Sequence, residues 1–424
     1  MTTFASAAAT AWFVLLVAAP VSAQPAAPAN TCLTCHASQT ETRLSEPAAR
    51  YAGADVHRDR GFACVDCHGG DPTAADAAAA HDSVRGFRGT PSGPAQIAVC
   101  ARCHSDPMLM RRYAPAERVD QAAEYATSVH GQRLARGDAR VATCASCHGA
   151  HGIRLVGDAQ SPVYPTNVAA TCGACHADPS HMAGYVGTDG AALSTSQLAD
   201  YRTSVHFEAL TVRNDLAAPT CNDCHGNHGA TPPGVDSIVN VCGTCHAVFA
   251  QKYATSVHAF VFERGCVDCH GNHAVAAPTD AMVGTSGEAL CSQCHGGADD
   301  VGAMAAAHMR SEFDRVTSRI DASSALIAGL GNAGIETGDE QLRLREARSA
   351  LTLARTDLHA FTPTAVDEAI AGGDTALDAV DAAGEAGLRE LRFRRRGLAA
   401  SLGLILLFVI ALALKIRRLD QPAR

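Results

Sequence analysis

The feature that most constrains this chain is a five-residue motif, Cys-x-x-Cys-His, which occurs nine times without deviation. The nine copies use all 18 cysteines of the 424-residue chain, so none is left for another role. The cysteines are Cys32, Cys35, Cys64, Cys67, Cys100, Cys103, Cys144, Cys147, Cys172, Cys175, Cys221, Cys224, Cys242, Cys245, Cys266, Cys269, Cys291 and Cys294. The histidines that complete the motifs are His36, His68, His104, His148, His176, His225, His246, His270 and His295.

This spacing is typical of covalent attachment of haem c. The two thiols can each bond one vinyl group of a porphyrin, and the histidine after them can reach the iron as its proximal ligand. Zinc sites and thioredoxin-like pairs give no reason for a histidine after every cysteine pair. A disulfide framework gives no reason for the fixed spacing. We therefore predict nine covalent haems and nine proximal histidines.

The amount of protein available to each haem limits the fold. Residues 32–295 carry all nine motifs, which leaves roughly 29 residues per haem, too few for an ordinary apolar core. We expect stacked haems to form the core and short helices and loops to wrap them. The formal net charge of −9 argues against nucleic acid as a partner. Haem c is attached on the periplasmic side, so we expect the haem segment there.

After the lone motif at Cys32, the chain consists of four repeats with two motifs each. Each repeat has an upstream histidine, a first motif, a second histidine and a second motif, and the strings Tyr-x-Thr-Ser-Val-His and Cys-His-Gly-x-His recur. The first repeat has Cys-His-Gly-Gly-Asp instead, so His81 is assigned as its second histidine. Thr-Ser can cap a helix that carries the upstream histidine. The predicted distal ligands are His57, His81, His130, His151, His206, His228, His258 and His273.

The ninth distal ligand is less directly indicated. The chain has 20 histidines, and His181, His308 and His359 remain after these assignments. His308 and His359 would both lie at the base of a C-terminal helical hairpin. We favour His359, because it comes after a regular apolar face. Met110 and Met182 hold matching places after second motifs, and we interpret both as packing residues rather than axial ligands.

The two ends of the chain have patterns of their own. Residues 1–23 resemble a signal peptide, with an uncleaved anchor as the alternative. Residues 24–297 form the predicted nine-haem domain. Residues 298–396 have helical periodicity and predict a hairpin, broken by the glycines of 329–338, and a third helix from Pro363. Residues 397–414 are an apolar run between basic flanks and predict a transmembrane helix, with a buried core helix as the alternative and 415–424 as a cytoplasmic tail. The predicted fold class is mainly α with much irregular structure.

The motifs carry a family resemblance from residue 30 to about 390. With its doubled motifs, its recurring strings and Ser-Pro-Val-Tyr-Pro-Thr-Asn at 161–167, the chain resembles bacterial periplasmic multihaem c-type cytochromes. It is distantly similar to the superfamily of cytochrome c nitrite reductase and octahaem enzymes, which end in long helices. The resemblance implies electron transfer beside a membrane quinol-oxidising complex. A cytochrome b or iron–sulfur subunit and other periplasmic cytochromes are the implied partners.

Two functions fit these patterns. The favoured one is a periplasmic electron carrier, held in the inner membrane by one C-terminal span, with two histidines on every iron. The alternative is an oxidoreductase acting on nitrite, hydroxylamine or a small sulfur compound at an open haem. Nitrite reductases of the related superfamily often replace a proximal histidine by lysine, and the sequence contains no Cys-x-x-Cys-Lys. Nothing in the sequence identifies the tyrosine crosslink of hydroxylamine-type enzymes. The membrane anchor disfavours a subunit of an extracellular filament.

Overall fold

The computed structural model describes residues 30–187, 190–233, 238–297 and 299–419, so the predicted signal peptide lies outside the described residues. These residues form helices and irregular segments, with one isolated β-bridge between Val186 and Ala192 and no strand. The predicted fold class is therefore confirmed. The chain divides into two compact units, Met1–Val119 with Thr143–Leu155, and Asp120–Ala142 with Val156–Arg424.

Unit 1 is built from short helices. Among its described residues only Asp55 and Met110 are buried, so the protein atoms alone form no apolar core. A 3-10 turn spans Ser83–Arg85. Its α-helices are α1 Thr31–Ala37, α2 Thr42–Gly53, α3 Val56–Asp59, α4 Cys64–His68, α5 Ala77–Ala80, α6 Gly93–His104, α7 Pro107–Tyr113 and, tenth in chain order, α10 Cys144–His148.

The part of unit 2 that carries motifs is also a series of short helices. Its largest buried residues are scattered, and Ala209, Leu210 and Ala218 form one small cluster. Met182, like Met110 in unit 1, is buried, in agreement with the packing interpretation. The α-helices are α8 Gln121–Thr127, α9 Val129–Ala135, α11 Pro165–His176, α12 Pro179–Met182, α13 Gln197–Tyr201, α14 Val205–Thr211, α15 Cys221–His225, α16 Ile238–Gly243, α17 Ala247–Ala254 and α18 Cys266–His270; 3-10 helices span Val257–Phe260, Asp280–Met282 and Leu290–Gln293.

Three long helices complete unit 2 and contain its main apolar core. They are α19 Val301–Asn332, α20 Gly338–Asp357 and α21 Pro363–Leu419, with a 3-10 turn at Leu358–Ala360 before α21. The core residues recur every three or four positions, which is why each helix buries one face. They include Phe313, Val316, Ile320, Leu344, Leu351, Val366, Ile370 and Leu377. The predicted hairpin and third helix are both present.

Two details differ from the sequence-based expectation. Helix α19 continues through Gly329 and Gly331, and the turn comes at Gly334, whose φ of 81° favours glycine. The third helix and the apolar run form one continuous helix, because the arginines that join them are good helix formers and supply no stop signal. The apolar segment of α21 is long enough to cross a membrane, and none of it is buried.

Candidate haem-binding sites

Each first motif of a repeat folds as one turn of helix. The two cysteines and the histidine, at positions i, i+3 and i+4, therefore lie on one face. In the first three repeats, a side chain two residues after the first cysteine accepts a hydrogen bond from the backbone N–H just before the motif; the acceptors are Asp66, Ser146 and Asp223. A glycine with positive φ ends each turn: Gly69, Gly149, Gly226 and Gly271. Local sequence thus fixes the three groups that attach a haem.

Eight of the nine proximal histidines face a second histidine within their own unit. Two imidazoles that bind one metal from opposite sides have ring centres about 6 Å apart, because each nitrogen–metal bond is about 2 Å long. His148 and His228 are not part of these eight pairs, and both have contacts of their own. The pairs and the distances between ring centres are His36–His81 6.0 Å, His57–His104 6.0 Å, His68–His151 5.8 Å, His130–His176 6.1 Å, His206–His246 6.3 Å, His225–His273 6.0 Å, His258–His295 6.2 Å and His270–His359 6.2 Å.

The pairing obeys two rules that the sequence did not indicate. The histidine of each second motif faces the upstream histidine of its own repeat: His104 with His57, His176 with His130, His246 with His206, and His295 with His258. In the first, third and fourth repeats, the histidine of the first motif faces a histidine that comes later in the chain than its own repeat. His68 faces His151 of the second repeat, and His225 faces His273 of the fourth. After the fourth repeat, His359 takes this place opposite His270.

Backbone hydrogen bonds explain the offset between repeats. The valine before an upstream histidine donates to a carbonyl two residues beyond the second histidine of the next repeat. The N···O distances are 2.8 Å for Val56–Ile153, 3.1 Å for Val129–Ala230 and 2.9 Å for Val205–Val275. The segment that carries an upstream histidine is thereby held beside the segment that carries the second histidine of the next repeat.

The Tyr-x-Thr-Ser-Val-His segments fold as predicted in the second and third repeats. The hydroxyls of Ser128 and Ser204 accept from backbone N–H groups in the first turns of α9 and α14, at 2.9 and 3.1 Å. Tyr125 and Tyr201 donate to carbonyls two residues before the next motif. In the fourth repeat the segment forms a 3-10 turn instead, and Ser256 makes no cap hydrogen bond.

The first repeat contains the same tyrosine hydrogen bond and helix cap with different residues, and the repeated strings did not predict this. Tyr51 donates to the carbonyl of Phe62, two residues before Cys64, as the other tyrosines do. Asp55 replaces the serine, and one additional residue separates it from the tyrosine. The string Ala-Asp-Val-His at 54–57, which corresponds to Thr-Ser-Val-His in the later repeats, could have revealed this similarity.

Asp55 connects two of the predicted distal ligands. Its buried carboxylate accepts from the N–H of His57 at 2.9 Å and lies 3.3 Å from His57 Nδ1. Its other oxygen accepts from the N–H groups of Gly152 and Ile153, which come directly after His151, at 2.8 and 3.0 Å. Burial raises the pKa of Asp55, but these hydrogen bonds outweigh burial and lower the pKa to about 2.

Contacts of Nδ1 with backbone carbonyls leave Nε2 available for a metal in five of the imidazole rings. When Nδ1 donates to a carbonyl, the lone pair of Nε2 stays free. Burial also lowers the pKa of several rings, which favours the neutral form that binds iron. Nδ1 contacts a carbonyl in His36, His68, His81, His225 and His359, at 2.9–3.3 Å. The pKa is lowered mainly by burial for His130, His151, His176, His206, His258, His270, His273 and His359.

The three candidates for the ninth distal ligand have different surroundings. His359 packs against Phe249, with ring centres 5.0 Å apart, and faces His270. His308 directs Nε2 at the carboxylate of Asp367, at 2.8 Å. His181 lies 6.4 Å from the ring of Tyr185. Of these, His359 has the surroundings that suit an axial ligand.

Cysteines of consecutive motifs lie next to each other in space. The thiols of Cys100 and Cys144 are hydrogen-bonded, which lowers the pKa of Cys144 to about 7. Cys172–Cys221 and Cys242–Cys266 have the same contact. Burial raises the pKa of one cysteine in each of four further pairs, and the nearby second cysteine raises it further; the pairs are Cys32–Cys64, Cys67–Cys103, Cys224–Cys242 and Cys269–Cys291. Within each unit, the spatial order of the motifs is therefore their order in the chain.

The residues present fit haem better than the other cofactors considered. No two of the 18 cysteines are joined by a disulfide, which favours haem attachment over a disulfide framework. Among the described residues no group of three or more His, Cys, Asp or Glu side chains is arranged to hold a bare metal ion. Unit 1 lacks an apolar core, and porphyrins between its paired histidines would supply one.

Comparison with known protein families supports this assignment. The family described as cytochrome c3 matches residues 56–185, and the family described as doubled CXXCH motif matches residues 258–300. No curated protein and no solved structure matches the chain significantly. The distant similarity to nitrite reductases stays a prediction. Both matches fall on the segment that carries the motifs, and they support a multihaem c-type cytochrome family.

Proposed function

We propose that this cytochrome is a membrane-anchored electron-transfer protein that holds nine haems, each between two histidines. Bound haem supplies a reversible one-electron Fe(III)/Fe(II) couple. The chain would hold each porphyrin through two cysteines and its iron through two imidazoles, which would keep water and substrate away from the iron. Such a site exchanges electrons but offers no position for substrate chemistry.

The observation that carries this proposal is the combination of paired histidines with neighbouring motifs. Eight pairs of rings have centres 5.8–6.3 Å apart, as two ligands of one iron require. Thiols of consecutive motifs lie together, so each attached porphyrin would have a neighbour along the chain. Within each unit, the attached haems would therefore form a closely spaced series, which electron transfer between them needs.

The proposed location and partners rest on α21. Its apolar segment would span the inner membrane, with the haem segment in the periplasm and residues 415–424 in the cytoplasm. The anchor would keep the haems near a quinol-oxidising complex with a cytochrome b or iron–sulfur subunit. Other periplasmic cytochromes would accept the electrons.

The test replaces the ligand that lies outside the repeats. We expect His359→Ala to convert one low-spin haem to high spin, because the iron opposite His270 loses its second imidazole. The matched control is His308→Ala, whose ring instead contacts Asp367. Electron paramagnetic resonance of the ferric protein measures the spin states, and a pyridine haemochrome assay should give nine haems in the wild type and both variants.

Three results would count against the proposal. These are an unchanged low-spin spectrum in His359→Ala, a high-spin haem in His308→Ala, or fewer than nine haems in fully matured wild-type protein. A high-spin haem in the resting wild type, together with turnover of nitrite or hydroxylamine, would instead support the enzymatic alternative.

A further inference from the structure

The histidine of the last motif has a different hydrogen-bond partner from three other proximal histidines. His295 Nδ1 lies 3.1 and 3.2 Å from the two carboxylate oxygens of Asp300. His36, His68 and His225 direct Nδ1 at backbone carbonyls. A carbonyl is a neutral acceptor, whereas a carboxylate carries a full negative charge and forms a stronger hydrogen bond.

The first turn of α19 holds this contact in place. Asp300 is its N-cap and accepts from the N–H groups of Gly302 and Ala303, at 2.8 and 3.2 Å. The His295 ring packs on Gly302 so closely that a Cβ there would lie 2.2 Å from ring atoms. Two independent features, the carboxylate and the missing side chain at Gly302, therefore fix the orientation of His295.

A carboxylate on Nδ1 changes how the imidazole binds iron. It attracts the Nδ1 proton, which raises the electron density at Nε2 and stabilises the more positive ferric state. The N-terminus of α19 opposes this effect, but its partial charge is only about half of an elementary charge. The net effect of Asp300 on the iron is therefore stabilisation of Fe(III).

We propose that Asp300 is a positioning residue that lowers the reduction potential of the haem attached at Cys291 and Cys294. This inference rests on the proposed function, because it takes His295 and His258 as the two ligands of that iron. The haem at the end of the series is thus distinguished from those whose proximal histidines bond carbonyls.

The experiment uses the full-length haem-loaded protein in detergent and a matched pair of variants. Asp300→Asn keeps a good N-cap but removes the charge. Asp299→Asn removes the same charge from the exposed neighbouring residue. In a spectroelectrochemical titration, the absorbance change that corresponds to one haem should occur at a higher reduction potential in Asp300→Asn than in the wild type. Asp299→Asn should show no such shift. No movement, or equal movement in both variants, would overturn the proposal.

A second variant identifies the haem that responds. His258→Ala should open the other axial position of the same iron and give one high-spin component. The titration of that component should move to higher potential when Asp300→Asn is added. If His258→Ala gives no high-spin haem, the ligation in the proposed function fails. If the high-spin component forms but Asp300→Asn does not move its potential, only the role of Asp300 fails.

Discussion

Asp55 shows how one side chain can serve two sites. Its two oxygens bind the segments of His57 and His151, which face the histidines of two different motifs. The serines at the corresponding positions of the second and third repeats have hydroxyls that cap their own helices. Asp55 also caps its own helix, α3, and adds a connection between segments 97 residues apart.

We predict that Asp55→Ala perturbs two haems together, those attached at Cys64 and Cys100. The substitution leaves the partly buried N–H groups of Gly152 and Ile153 without their acceptor, which costs about 1 kcal/mol per group, the lower end of the range for buried donors. Electron paramagnetic resonance should show two altered low-spin signals, and the thermal unfolding temperature should fall. Asp59→Ala, at an exposed position of α3, is the control; a change in only one haem would contradict the shared role.

The sequence allowed the candidate ligands to be predicted, but not their pairing. The motifs and the Cys-His-Gly-x-His strings are local, so their histidines stand out in the sequence. Which rings face each other depends on backbone contacts between consecutive repeats, such as Val205–Val275, which no local pattern encodes. Asp55 was missed for a related reason, because an inserted residue and an altered side chain hid the repeat.

At the scale of elements, α21 packs closely on its neighbours through glycines on one face. A Cβ at Gly373 would lie 2.9 Å from the Cβ of Ala350, and a Cβ at Gly384 would lie 2.6 Å from Leu326 Cδ2. The adjacent Gly372 has no atom within 4 Å of that position. A side chain at Gly373 or Gly384 would therefore prevent this close contact between the helices, whereas one at Gly372 would not.

This asymmetry predicts opposite effects of two neighbouring substitutions. Gly373→Ala should destabilise the three-helix segment by about 1–3 kcal/mol, because the added methyl group overpacks the interface. Gly372→Ala should stabilise it by up to about 1 kcal/mol, because alanine is the better helix former. Hydrogen exchange of α20 and α21 in the detergent-solubilised protein measures both. Equal effects of the two substitutions would show that the glycines are not distinguished by packing.

An ion-pair network between α19 and α21 gives this segment a pH dependence. Arg315 and Arg319 contact Asp374 at 2.8 and 3.3 Å. Hydrogen bonding to Arg315 lowers the pKa of Asp374 against the opposing effect of burial. Because the pKa is lower in the folded state, the stabilisation is present above the ordinary pKa of 3.8 and is lost as the pH falls through the lowered pKa.

We therefore expect the stability difference between the wild type and Asp374→Asn to shrink as the pH falls from about 5 to about 2. The effect should be small, since both side chains are partly exposed and the pair is screened by solvent. Denaturant unfolding monitored by the helical signal at several pH values tests the expectation. A difference independent of pH would exclude the ion pair as its source.

The helices were predictable to different degrees. Apolar residues at helical spacing identified α19, α20 and the start of α21 at Pro363. The continuity of α21 could not be predicted in the same way, because the apolar run and the packed segment have different compositions. Only the lack of a helix-breaking residue among the arginines before Gly397 connects them.

At the scale of the whole molecule, α21 has two separate parts. Its buried residues run from Val366 to Gly387, and its apolar segment begins only at Gly397. We predict that a chain ending at Arg396 is released as a soluble, fully haem-loaded protein, since no packed residue is removed. A chain ending at Lys415 keeps the apolar segment and should remain in the membrane fraction. Fractionation with haem staining tests both, and full-length protein in the soluble fraction would contradict the anchor.

The offset pairing of first motifs has a consequence for how such a chain can change in length. Because the first motifs of the first and third repeats take a histidine from the next repeat along the chain, an internal repeat could be gained or lost while the irons of these sites would keep two ligands. The last repeat depends on His359, which belongs to no repeat. Evolution could therefore add or remove repeats in the middle of such a chain, provided that the C-terminal segment with His359 was inherited with it.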